Sequence, residues 1–185
     1  MVLPHDNLRD VAEGAIDAAT EGPVWLMSYL VPCVGTVRAL TCASERGCDV
    51  RLIIDPGPSE RRRYDLPFPC RQPKVSDGSL HTKALIFNDR AFAGSFNFGG
   101  SLGNFDFLAV HESPEAVAQF KAHFEAAWVL PEADPLLRGD EAYAFVVHAA
   151  EKLGWDSFLT KVAQRAKSRG YLTTKEEAAI RRALE

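Results

Sequence analysis

The apolar positions at the start of the chain recur at helical spacing. Leu8, Val11, Ala15, Ile16 and Ala19 share one face of a segment spanning 5–21, which predicts an amphipathic helix with Asp6 or Asn7 at its N-cap. Gly22-Pro23 stops it. From Val24 to Val31 the pattern becomes an apolar run of strand length, as in a strand buried on both faces. Beyond Pro32, residues 34–46 read as a second helix ending at Gly47. Asp49 to Asp55 is a second buried strand, closed by Pro56-Gly57-Pro58. Helix, strand, helix, strand with short links predicts an α/β unit with a parallel strand pair.

Segment 56–79 breaks this pattern, being polar, basic and proline-rich, with room for a short strand around Cys70–Val75. Loops this long inside a compact domain are often functional. Three strands then follow in quick succession: Lys83–Phe87, Arg90–Gly94 and Phe105–Val110. Asn88-Asp89 separates the first two, as a tight hairpin turn requires. Ser113-Pro114-Glu115 opens a helix running to about Trp128, with serine at the N-cap and proline at the first helical position. After Pro131 the chain reads as helical only, over 140–153 and 155–184, with breaks at Gly154 and Gly170. The expected organisation is an α/β domain over 1–130 and a helical extension over 131–185. No internal repeat is evident, so each element, and any site built from them, occurs once per chain.

Composition narrows the class. With 46% hydrophobic, 25% charged and 10% aromatic residues the chain has the profile of a soluble globular protein. No stretch approaches the roughly 20 apolar residues of a membrane helix, and the start Met-Val-Leu-Pro-His-Asp has no basic, then apolar leader pattern. A cytoplasmic protein without stable membrane association is expected. Cys33, Cys42, Cys48 and Cys70 form no Cys-x-x-Cys pair, so they are expected as small core residues rather than metal ligands or disulfides. Neither a metal nor another cofactor is expected.

The net charge of −4 gives no overall attraction to a polyanion. Charge is uneven, however. Between Glu60 and Lys83 six basic residues face three acidic ones, and local potential governs capture of an anionic substrate. Arg61, Arg62, Arg63, Arg71 and Lys74 are therefore candidate substrate-binding residues, against the plainer reading of a solvated loop. Along the last helices Lys161, Arg165, Lys167, Arg169, Arg181 and Arg182 are basic, partly offset by Glu176, Glu177 and Glu185.

The chemistry-bearing stretch is His81-Thr82-Lys83, then Gly94-Ser95-Phe96-Asn97, then Asn104-Phe105-Asp106. Residues i and i+2 of a strand point to one face, so His81 and Lys83 sit side by side where an apolar strand begins. Reaction at phosphorus needs a nucleophile or proton carrier near neutrality and cations to offset the non-bridging oxygens. An imidazole beside an ammonium supplies both. Gly94 permits close backbone approach, Ser95 and Asn97 add a hydroxyl and an amide, and Asp106 is placed to orient His81 through one ring nitrogen. Phe96 and Phe98 flank Asn97 and either line a groove or lie beneath the motif.

His-x-Lys followed by Gly-Ser-x-Asn in this strand and hairpin context resembles the phospholipase D superfamily signature. In particular it resembles the small single-motif members, such as bacterial endonucleases and the mitochondrial phosphodiesterase-nucleases. The resemblance spans roughly residues 8–128. It implies a mixed β-sheet flanked by helices and a metal-independent phosphodiesterase. His81 is the implied nucleophile, forming a phosphohistidine, and His81 of the partner subunit the implied acid. The resemblance also implies that Lys83 and Asn97 hold the phosphate oxygens, that Ser95 supports them and that Asp106 orients His81. Family sites use two motif copies, so one copy implies a symmetric homodimer with the site on the two-fold axis. One departure stands out: five positions after the lysine the family usually has Asp, whereas this chain has Asn88 followed by Asp89.

The expected function is hydrolysis of DNA or RNA phosphodiesters. A phospholipid phosphodiesterase of the same mechanism, which would need an apolar approach to the site, is the first alternative. A non-catalytic nucleic-acid-binding module is the second.

Overall fold

Strands that are apolar on both faces require a helical layer on each side, and the computed structural model has that arrangement. It describes residues 2–3, 8–30, 32–55, 66–75, 79–98, 105–133, 137 and 139–185. In chain order the first elements are β1 (Val2–Leu3), α1 (Leu8–Asp17), β2 (Pro23–Ser28), α2 (Val34–Glu45) and β3 (Asp49–Ile54). They are followed by β4 (Cys70–Arg71), β5 (Ala84–Phe87), β6 (Arg90–Gly94), β7 (Leu108–His111) and α3 (Pro114–Trp128). One sheet has the order β1-β7-β6-β5-β2-β3-β4. β2 pairs parallel with β3, with Val24 opposite Val50, and β3 pairs parallel with β4. The other pairings are antiparallel. The α/β unit expected from the alternation of elements is thus present, with the parallel pair at the strands that predicted it, in the mixed sheet that the resemblance implied.

Side-chain alternation shows why the runs are apolar throughout. Val24 and Leu26 of β2 join Leu52, Ile54 and Leu85 in a core shared with Leu8 and Ile16 of α1 and Leu40 of α2. Trp25 and Met27, one residue out of step, join Ile53 and Ile86 against Phe124 and Ala127 of α3. Each fully buried side chain of this size contributes about 1.5–3 kcal/mol. Phe96 and Phe98 are buried in the α1/α2-side core and meet edge to face at 5.4 Å, so they floor the motif rather than line a groove.

Several boundaries moved: α1 covers Leu8–Asp17 rather than 5–21, β2 ends at Ser28 rather than Val31, and β4 is only Cys70–Arg71. β5 begins at Ala84, leaving Lys83 just ahead of it, and β7 covers Leu108–His111 instead of Phe105–Val110. β1, two residues long, is too short to show alternation and was not anticipated. Asn88 and Asp89 form the expected hairpin turn between Phe87 and Arg90, which are paired across it. Asn88 has φ of 48°, a left-handed conformation that asparagine tolerates better than most residues.

The described residues fall into two compact units, the first extending to Ala133. Its last stretch is held to the loop after β4: Ala133 N–H donates to Gln72 O and Lys74 N–H to Pro131 O. The second unit contains α4 (Gly139–Leu153), α5 (Ser157–Arg169) and α6 (Thr174–Leu184) around Val146, Leu159, Val162, Leu172 and Ile180. Asp156 caps α5, Gly170 ends it in the left-handed conformation, and Thr173 with Glu176 forms a capping box on α6. The four cysteines are free thiols. Burial, with Glu132 adding to it, pushes the Cys70 thiol up to about 12, so it stays protonated at neutral pH.

Gly94 is fixed by packing. A Cβ there would overlap the backbone carbonyl of Phe107, whereas one at Gly14, inside α1, meets nothing within 4 Å. Denaturant titration should therefore show Gly94→Ala destabilised by about 1–3 kcal/mol through overpacking. Gly14→Ala should be stabilised by roughly 0.5–1 kcal/mol through helix propensity.

Candidate active site

β2 and β3 end where β5 begins, because β2 runs parallel to β3 and antiparallel to β5. β6 ends there too, and β7 begins there, each being antiparallel to its neighbour. The segments at this one end of the sheet carry Tyr29, Asp55, His81, Lys83, Ser95, Asn97 and Asp106. This clustering is the usual consequence of open α/β topology, in which loops at the carboxyl ends of parallel strands converge.

His81 is exposed, whereas Lys83 is only 6% exposed. The Lys83 ammonium lies 3.2 Å from His81 Nδ1 and 3.3 Å from Nε2, and donates to the His81 carbonyl oxygen at 2.9 Å. Nearly equal distances leave the ammonium astride the two ring nitrogens. Tyr29 completes the cage: its ring meets the imidazole edge to face at 4.7 Å and lies 5.4 Å from Lys83 Nζ. Burial lowers the Lys83 pKa from its ordinary 10.5, and the carboxylates of Asp106 and then Asp55 act in the opposite direction.

The two carboxylates also hold backbone. Asp55, buried where β3 ends, accepts from the Leu80 N–H directly before His81. Asp106 accepts from Ser95 Oγ at 2.8 Å, and Ser95 Oγ accepts from the Phe107 N–H at 3.1 Å. This corrects one expectation: the hydrogen bond to Asp106 comes from Ser95 and not from His81. The same contacts revise the reading of Gly94, whose missing side chain admits the chain's own Phe107 carbonyl rather than a ligand. Asn97 Oδ1, at the same end of the sheet, is buried without a hydrogen-bond partner.

On the opposite face of the same segment Thr82 Oγ1 meets His123 Nε2 of α3 at 3.1 Å. Alternation thus persists to residue 82, tying the strand to α3 while His81 and Lys83 face away. Asn88 is five residues past Lys83, about 16 Å along an extended chain, in an exposed turn. The unusual residue therefore serves the hairpin and does not reach the cage.

The basic loop fares differently. Arg61, Arg62 and Arg63 lie outside the described residues. The Arg71 guanidinium is used structurally: it pairs with Glu132 at 2.7 Å and donates to the carbonyls of Trp128 and Leu130. It is thereby withdrawn from the set of substrate contacts. Lys74 is exposed. Among the described residues no group of three His, Cys, Asp or Glu side chains is arranged to hold a metal ion, and no helix is long and apolar enough to cross a membrane.

Asp55 and Tyr29 were not anticipated. Asp55 had a readable signal, a carboxylate directly after a buried strand. Tyr29 was hidden inside an apolar run.

Residues 14–128 match the family described as "Cardiolipin synthase, PLD-like domain". That is more than half of the chain. The protein belongs to the phospholipase D superfamily. Among solved structures, Nuc from Salmonella typhimurium, a phospholipase D family member, is 23% identical with a TM-score of 0.58. The match covers 69% of this chain and 90% of that one. NucT from Helicobacter pylori gives 19% identity and a TM-score of 0.58, covering 69% and 92%. TrmBL2, an archaeal chromatin protein with a novel mode of DNA binding, gives 15% and 0.52, covering 69% and 51%. No curated protein sequence matches significantly. At the level of the superfamily the chain is a phosphodiesterase-type enzyme.

Burial of the Lys83 ammonium has a measurable sign. Because the folded-state pKa lies below 10.5, the folded protein binds fewer protons than the unfolded chain between those two values, and stability rises with pH there. Urea titrations should show the wild type gaining on Lys83→Met as pH climbs toward 10. A difference that stays constant with pH would refute the burial argument.

Proposed function

We propose that this protein is a metal-independent nuclease that hydrolyses DNA or RNA phosphodiesters through a phosphohistidine on His81, in an active site shared by two subunits. The observation that carries the reading is the pairing of an exposed imidazole with a buried ammonium on one rim. His81 attacks phosphorus, and the bond to the leaving oxygen breaks as His81 of the partner subunit donates its proton. Water then attacks the phosphorus–nitrogen bond, giving up a proton to the partner's His81 and freeing the enzyme imidazole. Lys83 and the Asn97 amide balance charge on the non-bridging oxygens, where preorganised donors are most effective. Asp106 and Ser95 hold the strand entry that presents them.

Each chain supplies one imidazole and one ammonium, whereas this chemistry needs a nucleophile and an acid on opposite sides of the phosphorus. The segments carrying the site also expose apolar side chains. Phe105 is 88% exposed and Val34 86%, with Leu30 and Phe107 also partly exposed. Apolar surface beside a half-complete site supports coverage by a second copy of the chain.

The same rim supports a second reading, a phospholipid phosphodiesterase, because it offers acyl chains an apolar approach. The matched family description points the same way. A purely binding role is supported less well, since a buried lysine caged against a histidine is costly to keep and serves no evident structural purpose.

Plasmid, single-stranded DNA and RNA incubated in EDTA should be cleaved by the wild type. His81→Ala should be slower by at least a hundredfold, within the range of a lost acid–base group, and sedimentation should give a dimer. Cleavage that chelation abolishes would sink the mechanism. Hydrolysis of cardiolipin vesicles with nucleic acids untouched would select the lipid reading.

A further inference from the structure

The helical unit contains a charged surface that the phosphodiester site does not use. α5 carries Lys161, Arg165, Lys167 and Arg169, all exposed, with no acidic residue in the helix itself. α6 adds exposed Lys175, Arg181 and Arg182. The two carboxylates of α6 itself are committed, and exposed Glu185 follows the helix. Glu176 is buried and takes Arg169 at 2.6 Å and Arg165 at 3.3 Å, while Glu177 takes Arg181 at 2.9 Å. Burial raises the Glu176 pKa, but hydrogen bonds from Thr173 and Arg169 outweigh it and hold the carboxyl below its usual value. Among the described residues Lys161, Lys167, Lys175 and Arg182 have no ion-pair partner; the Arg182 guanidinium donates to the Ala178 carbonyl and Lys167 lies 6.0 Å from the Tyr143 ring. The acidic residues of α4, Asp140, Glu141 and Glu151, belong to the other helix.

Architecture gives this charge a shape. α5 and α6 are joined by four residues, of which the first, Gly170, is left-handed at φ of 76°. A four-residue, glycine-containing link between two helices is the type of connection a helix-turn-helix uses. On α6, Lys175, Ala178 and Arg182 lie three and four residues apart, so they share one face. All three are exposed, and the small alanine between the two cations leaves room for close approach to a flat or grooved partner.

We infer that the exposed cations of α5 and α6 bind the phosphate backbone of duplex DNA, as a contact distinct from the residues of the phosphodiester site. Duplex DNA is the occupant that fits both the helix-turn-helix connection and the surplus of unpaired cations. The inference goes beyond the proposed hydrolysis and is measured as binding, which needs no turnover.

The test uses the whole 185-residue chain carrying His81→Ala, which suppresses cleavage of the probe, and a labelled 20-base-pair duplex. A second protein carries Lys161→Gln, Lys167→Gln, Lys175→Gln and Arg182→Gln in addition, with far-UV circular dichroism to verify its fold. Affinity should fall at least tenfold, and the slope of log affinity against log salt should shrink by about 3 to 4, near 0.9 per lost phosphate contact. Equal affinity and slope in the two proteins would overturn the inference. So would binding to phosphatidylglycerol vesicles with none to the duplex. The four substitutions in the His81 background should leave turnover of bis(p-nitrophenyl) phosphate unchanged. No turnover together with patch-dependent duplex binding would count against the proposed hydrolysis alone.

Discussion

A lysine ammonium held at the rim of an apolar sheet is the constraint around which this structure is arranged. An unpaired cation in that position is costly, and the chain offsets the cost in several ways at once. The His81 carbonyl accepts from it, the Tyr29 ring lies beneath it, and Asp106 and Asp55 supply negative charge. Each of these groups comes from a different segment, so the ammonium can be accommodated only where several strand ends meet. The sheet order makes that meeting unavoidable, because the ends of β2, β3 and β6 and the starts of β5 and β7 lie along one edge. Fold and site are therefore one problem: the order of strands that buries Val24, Leu26 and Leu52 also brings His81 and Lys83 beside Tyr29 and Asp55.

Positioning is layered around that cage. Asp55 grips the backbone one residue ahead of His81, Thr82 reaches through the sheet to His123, and Gly94 N–H donates to the Lys83 carbonyl at 3.3 Å. Three fixed points within four residues restrict the segment from all sides, although it lies outside the regular ladder of β5. Such restraint suits the nucleophilic role proposed for His81, since misplacement by about 1 Å from the reacting geometry costs roughly a hundredfold in rate. The glycine at 94 belongs to the same device, letting the entry to β7 close over the end of β6 and bring Asp106 to Ser95.

Much of this was legible from residue types and spacing. The two doubly buried strands read as apolar runs because α1 and α2 cover one face and α3 the other. Asn88-Asp89 read as a turn because few other residues accept a left-handed first position. His81, Lys83, Ser95, Asn97 and Asp106 came together at one end of the sheet because the hairpin places their segments there. What could not be read were contacts between segments distant in sequence. No periodicity announces that Tyr29 closes on His81, or that Asp106 is used by Ser95. Arg71 shows the converse: a basic residue in a polar loop looked available for substrate, but its guanidinium is satisfied by Glu132 and two carbonyls some sixty positions away. Charge counts along a sequence register the cation and miss its partner.

The apolar rim is best understood from the same asymmetry. In a chain that buries Phe96 and Phe98 fully beneath the motif, leaving Phe105 and Val34 almost completely exposed is not a failure of packing capacity. Apolar side chains next to a reactive cage lower the local dielectric once they are covered, and a covered site strengthens every charge interaction within it. An uncovered one leaves the imidazole in water and the non-bridging oxygens screened. A second copy placed over this rim would contribute both the missing imidazole and the missing cover in one contact. A lipid substrate would bring cover but no second imidazole, so the phospholipid reading needs the second copy as much as the nuclease reading does. The proposed mechanism asks for two imidazoles around one phosphorus, and that demand, more than the greasiness of the rim, is what argues for a dimer.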